Sequence, residues 1–205
     1  MTKPLTRSFY ARPSLAVARA LLGRDLARTL DDGTVLRARI VECEAYRQDD
    51  PASHSFKGRT PTRETMFGPP GHLYVYVSYG MHFCMNVVTG RDGEGSAVLL
   101  RAAEPLEGLE RMAELRGLSS PRLLLAGPGR LCQGLAIARS HDGTDLVLGD
   151  ALRIERGRPV PDEDVVVGPR VGLTVAREHP WRFTVRGSRF VSRGPVRLPG
   201  PAEPR

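Results

Sequence analysis

The chain has 205 residues, a formal net charge of +7 and a sequence pI near 9.9, a size at which one domain buries roughly 70% of its unfolded surface without covalent staples. Three cysteines, at 43, 84 and 132, form no C-x-x-C and indicate neither a disulfide framework nor a zinc site. No apolar run is long enough to span a bilayer and no apolar signal region opens the chain, so a cytoplasmic, unexported protein with an anionic partner is expected, nucleic acid first.

Lysine occurs only at Lys3 and Lys57, so arginine carries nearly all the positive charge. That suits bidentate phosphate contacts, yet the wealth of Gly, Pro and Ala fits G+C-rich coding equally well.

In chain order, Pro13-Ser14 followed by an apolar run predicts a short helix with Ser14 as N-cap and Gly23 as its stop. Residues 26–30 and 35–44 flank Asp31-Asp32-Gly33-Thr34, a hairpin signal. Residues 47–71 are irregular and Pro-rich, the kind of ordered loop that carries function. Residues 73–77 and 82–88 have strand composition around a turn at 78–81, placing Tyr79 at or beside the tip of an aromatic hairpin. Residues 97–101 read as a buried strand and 107–116 as a helix ended by Gly117. A second helix is expected over 130–139 after Gly127-Pro128-Gly129, with short strands at 151–155, 165–167 and 182–186. The Pro-rich residues 194–205 are expected to be frayed.

Glu42 and Glu44 stand at i and i+2, so on one strand they project from the same face. On the strand alone the favoured reading is a solvent-facing acidic pair; if the strand ends near Glu44, that carboxylate can turn toward a cleft as a general base. Arg101 follows Ala97-Val98-Leu99-Leu100 and is expected at or beyond a strand end, facing a carboxylate. Spacing does not decide between a catalytic pair with Glu44 and a structural salt bridge. His54 reads first as a hydrogen-bonded loop residue, Asn86 and Met81 as strand polar and core filler, and Tyr74 and Tyr76 as one packed face of a sheet. Gly127-Pro128-Gly129-Arg130 offers free backbone N–H groups at a helix start, a phosphate-site motif that many helices share. The chain has no G-x-G-x-x-G, P-loop, G-x-S-x-G or H-E-x-x-H.

Taken together and in order, Val41-Glu42-Cys43-Glu44-Ala45-Tyr46, His54-Ser55, Leu73-Tyr74-Val75-Tyr76, Tyr79-Gly80-Met81, Phe83-Cys84-Met85-Asn86, Leu99-Leu100-Arg101-Ala102 and Glu104-Pro105-Leu106-Glu107-Gly108 closely resemble the alkyladenine (3-methyladenine) DNA glycosylase family. The likeness runs from about Leu5 to Ser192, adding Gly127-Pro128, Leu131-Cys132-Gln133 and Arg170-Val171-Gly172.

The resemblance implies a single α+β domain over residues 1–193. Its core would be a curved, mostly antiparallel sheet, open-barrel-like as in formyltransferase C-terminal domains, with surrounding helices and a protruding hairpin; 194–205 would form a tail. It implies a monomeric, monofunctional glycosylase acting on double-stranded DNA that contains damaged purines, without cofactor, metal or membrane, in the cytoplasm with the nucleoid. Glu44, assisted by Arg101 and the Val171 backbone, would activate water. Tyr46 and His54 would sandwich the flipped base, Tyr76 closing one side and Asn86 refusing a guanine amino group. Tyr79 would wedge into the minor groove, Met81 would support it there, and Arg130 would meet the DNA backbone.

Cys43, His82 and a short loop between Tyr46 and His54 depart from the family pattern, which bears on substrate breadth. Two rival readings are a non-catalytic module for distorted DNA or RNA and a formyltransferase-like domain, the latter needing a folate-binding partner domain.

Overall fold

The first hairpin forms where Asp31-Asp32-Gly33-Thr34 demands it: Gly33 takes φ +82°, and the Asp32 carboxylate accepts the Thr34 N–H at 2.8 Å. It joins β1 (Asp25–Thr29) to β2 (Val35–Tyr46). The computed structural model describes residues 3–78 and 80–192; Tyr79 and the tail 194–205 lie outside the described residues.

The remaining strands are β3 (Leu73–Ser78), β4 (His82–Val88), β5 (Ala97–Glu107), β6 (Leu152–Glu155), β7 (Val165–Gly168) and β8 (Arg182–Val185). All pairings are antiparallel, in the order β3-β4-β5-β2-β1-β6, with β8 joining β2 and carrying β7 on its far side. On one flank β2 pairs with β5 nearly throughout. On the other it pairs with β1 as far as Arg39 and with β8 from Glu42 to Glu44. This change of neighbour curls the sheet into a half-barrel, the core of a single α+β domain. The expected curved sheet and projecting β3–β4 hairpin are therefore present.

A break in pleat parity sets the site. Along the first half of β2, Leu36, Ala38 and Ile40 enter the main core; beyond it Cys43 and Ala45 do so. The pairing register skips Val41 on β2 and Arg101 on β5. Facing bulges shift both strands by one residue, so the core face of β5 likewise passes from Val98 and Leu100 to Ala103. Without the bulge, the even-numbered Glu42 and Glu44 would enter the apolar core. With it, both lie on the opposite face.

Among the described residues five α-helices, α1 (Arg7–Tyr10), α2 (Ser14–Leu21), α3 (Leu109–Arg116), α4 (Pro121–Leu124) and α5 (Pro128–Gly134), surround the sheet. Val17, Ala18 and Leu21 bury the inner face of α2 against it. Ser14 is not the N-cap: the Pro13 carbonyl accepts the first helical N–H, from Val17 at 3.0 Å, and Ser14 is the first helical residue. α5 begins and ends earlier than the expected 130–139, because Ala136 turns to φ +52° and the Ile137 N–H returns to the Cys132 carbonyl at 2.8 Å. Glu107 belongs to β5 rather than to the following helix, and Pro105 is tolerated there beside a register shift.

Gly108, at φ +76°, turns β5 into α3, and a Cβ placed on it would lie 2.7 Å from the Val35 carbonyl oxygen. Gly108→Ala is expected to cost about 3 kcal/mol in denaturant unfolding, combining left-handed strain with overpacking. Gly33→Ala, at φ +82° in open space, should cost only about 1 kcal/mol; equal losses would show that the close approach at Gly108 does not matter.

Candidate active site

One rung crosses the curled sheet: Tyr74 on β3 faces Asn86 on β4, Asn86 faces Leu99 on β5, and Leu99 faces Glu44 on β2. A cavity of about 470 Å³ opens over this face, lined by Tyr46, His54, Tyr74, Tyr76, Asn86, Leu99, Arg101 and Val171 among others. That volume is ordinary for a small-molecule site, and its walls are largely aromatic.

Glu44 is fully buried behind the wall. Its Oε1 accepts the Val171 N–H at 2.7 Å, and its Oε2 accepts the Tyr46 hydroxyl at 2.9 Å and Arg101 Nη1 at 3.2 Å. All three donors line the cavity. A carboxylate has about four acceptor sites, so these donors orient the group and leave room for one more. Burial pushes the Tyr46 hydroxyl well above the usual phenol range, reinforced by the charge of Glu44. Tyr46 therefore stays a donor at neutral pH.

Glu42 is also fully buried, which overturns the solvent-facing reading of the pair. It accepts Arg101 Nε at 3.1 Å, Arg182 Nε at 2.7 Å, and the Ser192 N–H and hydroxyl at 2.7 and 2.8 Å. Nor does Arg101 end its strand; it occupies the bulge within β5 and bridges the two glutamates. Burial alone would lower its pKa, but Glu44 and then Glu42 raise it. Glu44 does not end β2 either, since the strand continues to Tyr46.

The aromatic wall is a connected set. Tyr74 and Tyr76 stack with centroids 5.7 Å apart, His54 meets Tyr76 edge-on at 4.4 Å, and His54 Nδ1 lies 3.1 Å from the Tyr74 hydroxyl. Asn86 Nδ2 donates to the Tyr74 carbonyl at 3.2 Å. Met81 stands outside the cavity at the hairpin turn, 75% exposed. Arg130 is exposed on α5, whose neighbouring Gly129 adjoins His82 of the hairpin. Tyr79 lies outside the described residues.

Sequence reasoning missed the buried pair Arg170–Asp50. Arg170 binds Asp50 through Nη1 and through Nη2, the latter at 3.1 Å, and Nη1 also donates to the Ala45 carbonyl at 3.1 Å. Its guanidinium sits 4.6 Å from the Tyr46 ring centroid and 5.0 Å from that of Trp181. The pair thus ties the loop presenting the Val171 N–H to the end of β2 and to the loop leading to His54. Two single charges 120 positions apart leave no local signal. Ser55 fixes the other side of His54, its hydroxyl donating to the Gly95 carbonyl at 2.6 Å. Among the described residues, no group of three or more His, Cys, Asp or Glu could hold a metal ion, and no helix is long and apolar enough to cross a membrane.

A family model described as "Methylpurine-DNA glycosylase (MPG)" matches residues 8–189. Three bacterial proteins, each named "Putative 3-methyladenine DNA glycosylase", are similar over nearly the whole chain. That of Carboxydothermus hydrogenoformans is 49% identical over 189 residues, spanning 92% of this chain and 98% of its own. That of Anaeromyxobacter dehalogenans is 51% identical, spanning 98% and 90%; that of Chlorobaculum parvum is 46% identical, spanning 93% and 91%.

Burial lowers the His54 pKa from its ordinary 6.5, and Arg63 lowers it further, so the ring is neutral at pH 7. The folded protein resists this proton more than the unfolded chain does, and the contribution to stability falls as pH drops below the unfolded value. An NMR titration of the His54 ring should give a midpoint below 6.5, with Arg63→Ala raising it only partway because burial is the larger cause. A midpoint at or above 6.5 would contradict the buried, neutral ring.

Proposed function

The chain belongs to the methylpurine-DNA glycosylase family, and from that premise we propose that this DNA glycosylase flips alkylated or deaminated purines out of duplex DNA and hydrolyses their N-glycosidic bond with a water activated by Glu44. The observation that carries this reading is the buried carboxylate of Glu44, oriented by three donors that themselves line an aromatic cavity with room for a base.

Breaking the bond between the sugar C1′ and the base nitrogen builds oxocarbenium character on the sugar. Glu44 takes a proton from the attacking water while its charge stabilises that cation; oxygen joins C1′ as the base departs with the bonding pair. Arg101 and the Val171 N–H hold the carboxylate in place. Tyr46 and His54 sandwich the base, Tyr76 closes one side, and Asn86 meets the edge where a guanine amino group would clash. The neutral His54 adds no repulsion toward a cationic base.

Tyr79 is proposed to fill the gap left by the flipped nucleotide, with Met81 beside it and Arg130 on the phosphate backbone. The exposure of Met81 and the closeness of α5 to the hairpin support this side as the DNA-facing one. The protein is proposed to act as a monomer on the nucleoid, in the cytoplasm, needing no cofactor. A positively charged base such as 3-methyladenine leaves readily. Hypoxanthine and etheno-adenine are neutral and need a proton or close hydrogen bonding as they depart.

Incubation with a duplex containing one hypoxanthine, followed by alkaline cleavage, should yield scission at the lesion; methylated DNA should release free 3-methyladenine. Binding without release of either base would overturn the enzymatic reading in favour of a module that recognises distorted DNA.

A further inference from the structure

Glu42 is a buried carboxylate that the reaction above does not use. It is not part of the cavity wall, yet it takes two hydrogen bonds from Ser192 and one from each of two arginines. One of these, Arg101, is the permanently charged side chain among the described residues lining the cavity. Its Nε is committed to Glu42 and its Nη1 to Glu44.

We propose that Glu42 is a positioning and specificity-determining residue: it balances the charge of Arg101 and fixes its rotation, so that the arginine can hold Glu44 without repelling a cationic purine in the pocket. The inference rests on the glycosylase reading and extends it to the charge of the preferred base.

The formal charges support this. Glu42, Glu44, Arg101 and Arg182 form a neutral set of two carboxylates and two guanidiniums. The neighbouring Arg170–Asp50 pair is neutral as well. Other titratable groups around the set are Tyr46 on β2, Tyr76 on β3 and Cys84 on β4, with Cys43 behind it on the core face of β2, and burial raises the pKa of each. They are uncharged near neutral pH. A bound cationic base thus meets a wall of no net charge, and removing the Glu42 charge would leave one uncompensated positive charge at low effective dielectric.

Glu42→Gln keeps the shape and an acceptor oxygen but loses the charge. The test compares kcat/KM for release of 3-methyladenine and of hypoxanthine from otherwise identical duplexes. Glu42→Gln should lower the cationic-to-neutral ratio by about tenfold, with the loss on 3-methyladenine carried mainly by KM. Arg182→Gln, which leaves the set with one excess negative charge, should raise the ratio. Glu42→Asp should restore it toward wild type even where the overall rate falls, because the charge is kept. Equal losses on both bases in Glu42→Gln, or an unrestored ratio in Glu42→Asp, would overturn the inference and leave Glu42 a structural anchor. Wild-type protein that releases neither base would overturn the glycosylase reading and this inference with it.

Discussion

The facing bulges on β2 and β5 are the constraint on which the rest depends. A strand alternates its faces with a period of two, so a regular β2 would carry Glu42 and Glu44 into the same apolar core as Leu36, Ala38 and Ile40. Two buried carboxylates among aliphatic side chains have no partners and would be very costly to ionise. Skipping Val41 and Arg101 in the pairing register moves the carboxylates to the other face and brings Arg101 with them. One local irregularity thus supplies both the acid and its counter-charge.

Once the charges are on that face, they are held by parts of the chain remote in sequence. β8 brings Arg182, the last described residue brings the Ser192 N–H and hydroxyl, and the segment before β8 brings the Val171 N–H. A buried ion pair contributes little net stability over an apolar replacement, but losing one partner is expensive, about 3–5 kcal/mol. The cluster is better understood as a device for orientation. Arg170 and Asp50 extend it outward, stiffening the loops on which Val171 and His54 depend. The same frame is the basis of both the proposed hydrolysis and the proposed discrimination by base charge.

Much of this was legible in the sequence wherever the signal is local. Asp31-Asp32-Gly33-Thr34 announces its hairpin, the aromatic strands before and after the 78–81 turn form as read, and Gly117 ends α3. Of the residues singled out by family likeness, the cavity gathers Tyr46, His54, Tyr76, Asn86, Arg101 and Val171, while Glu44 sits behind its wall, Met81 and Arg130 are not among its lining residues, and Tyr79 lies outside the described residues. Local pattern misled where tertiary packing decides. Glu42 and Glu44 look like a solvated acidic pair because neither the bulge nor Arg101, 57 positions from Glu44, shows in the spacing. Ser14 has the chemistry of a cap, but Pro13 before it takes that position. The Asp50–Arg170 pair has no local trace because its partners meet only in the folded chain.

The central claim is that Glu44 is held to activate water rather than merely to neutralise Arg101. Single-turnover excision of hypoxanthine by Glu44→Gln, measured alongside affinity for the same duplex, tests it most directly. The account predicts a rate at least about 100-fold lower, the scale of a lost general base, with affinity little changed. A Glu44→Gln protein that binds normally and excises at close to the wild-type rate would contradict it.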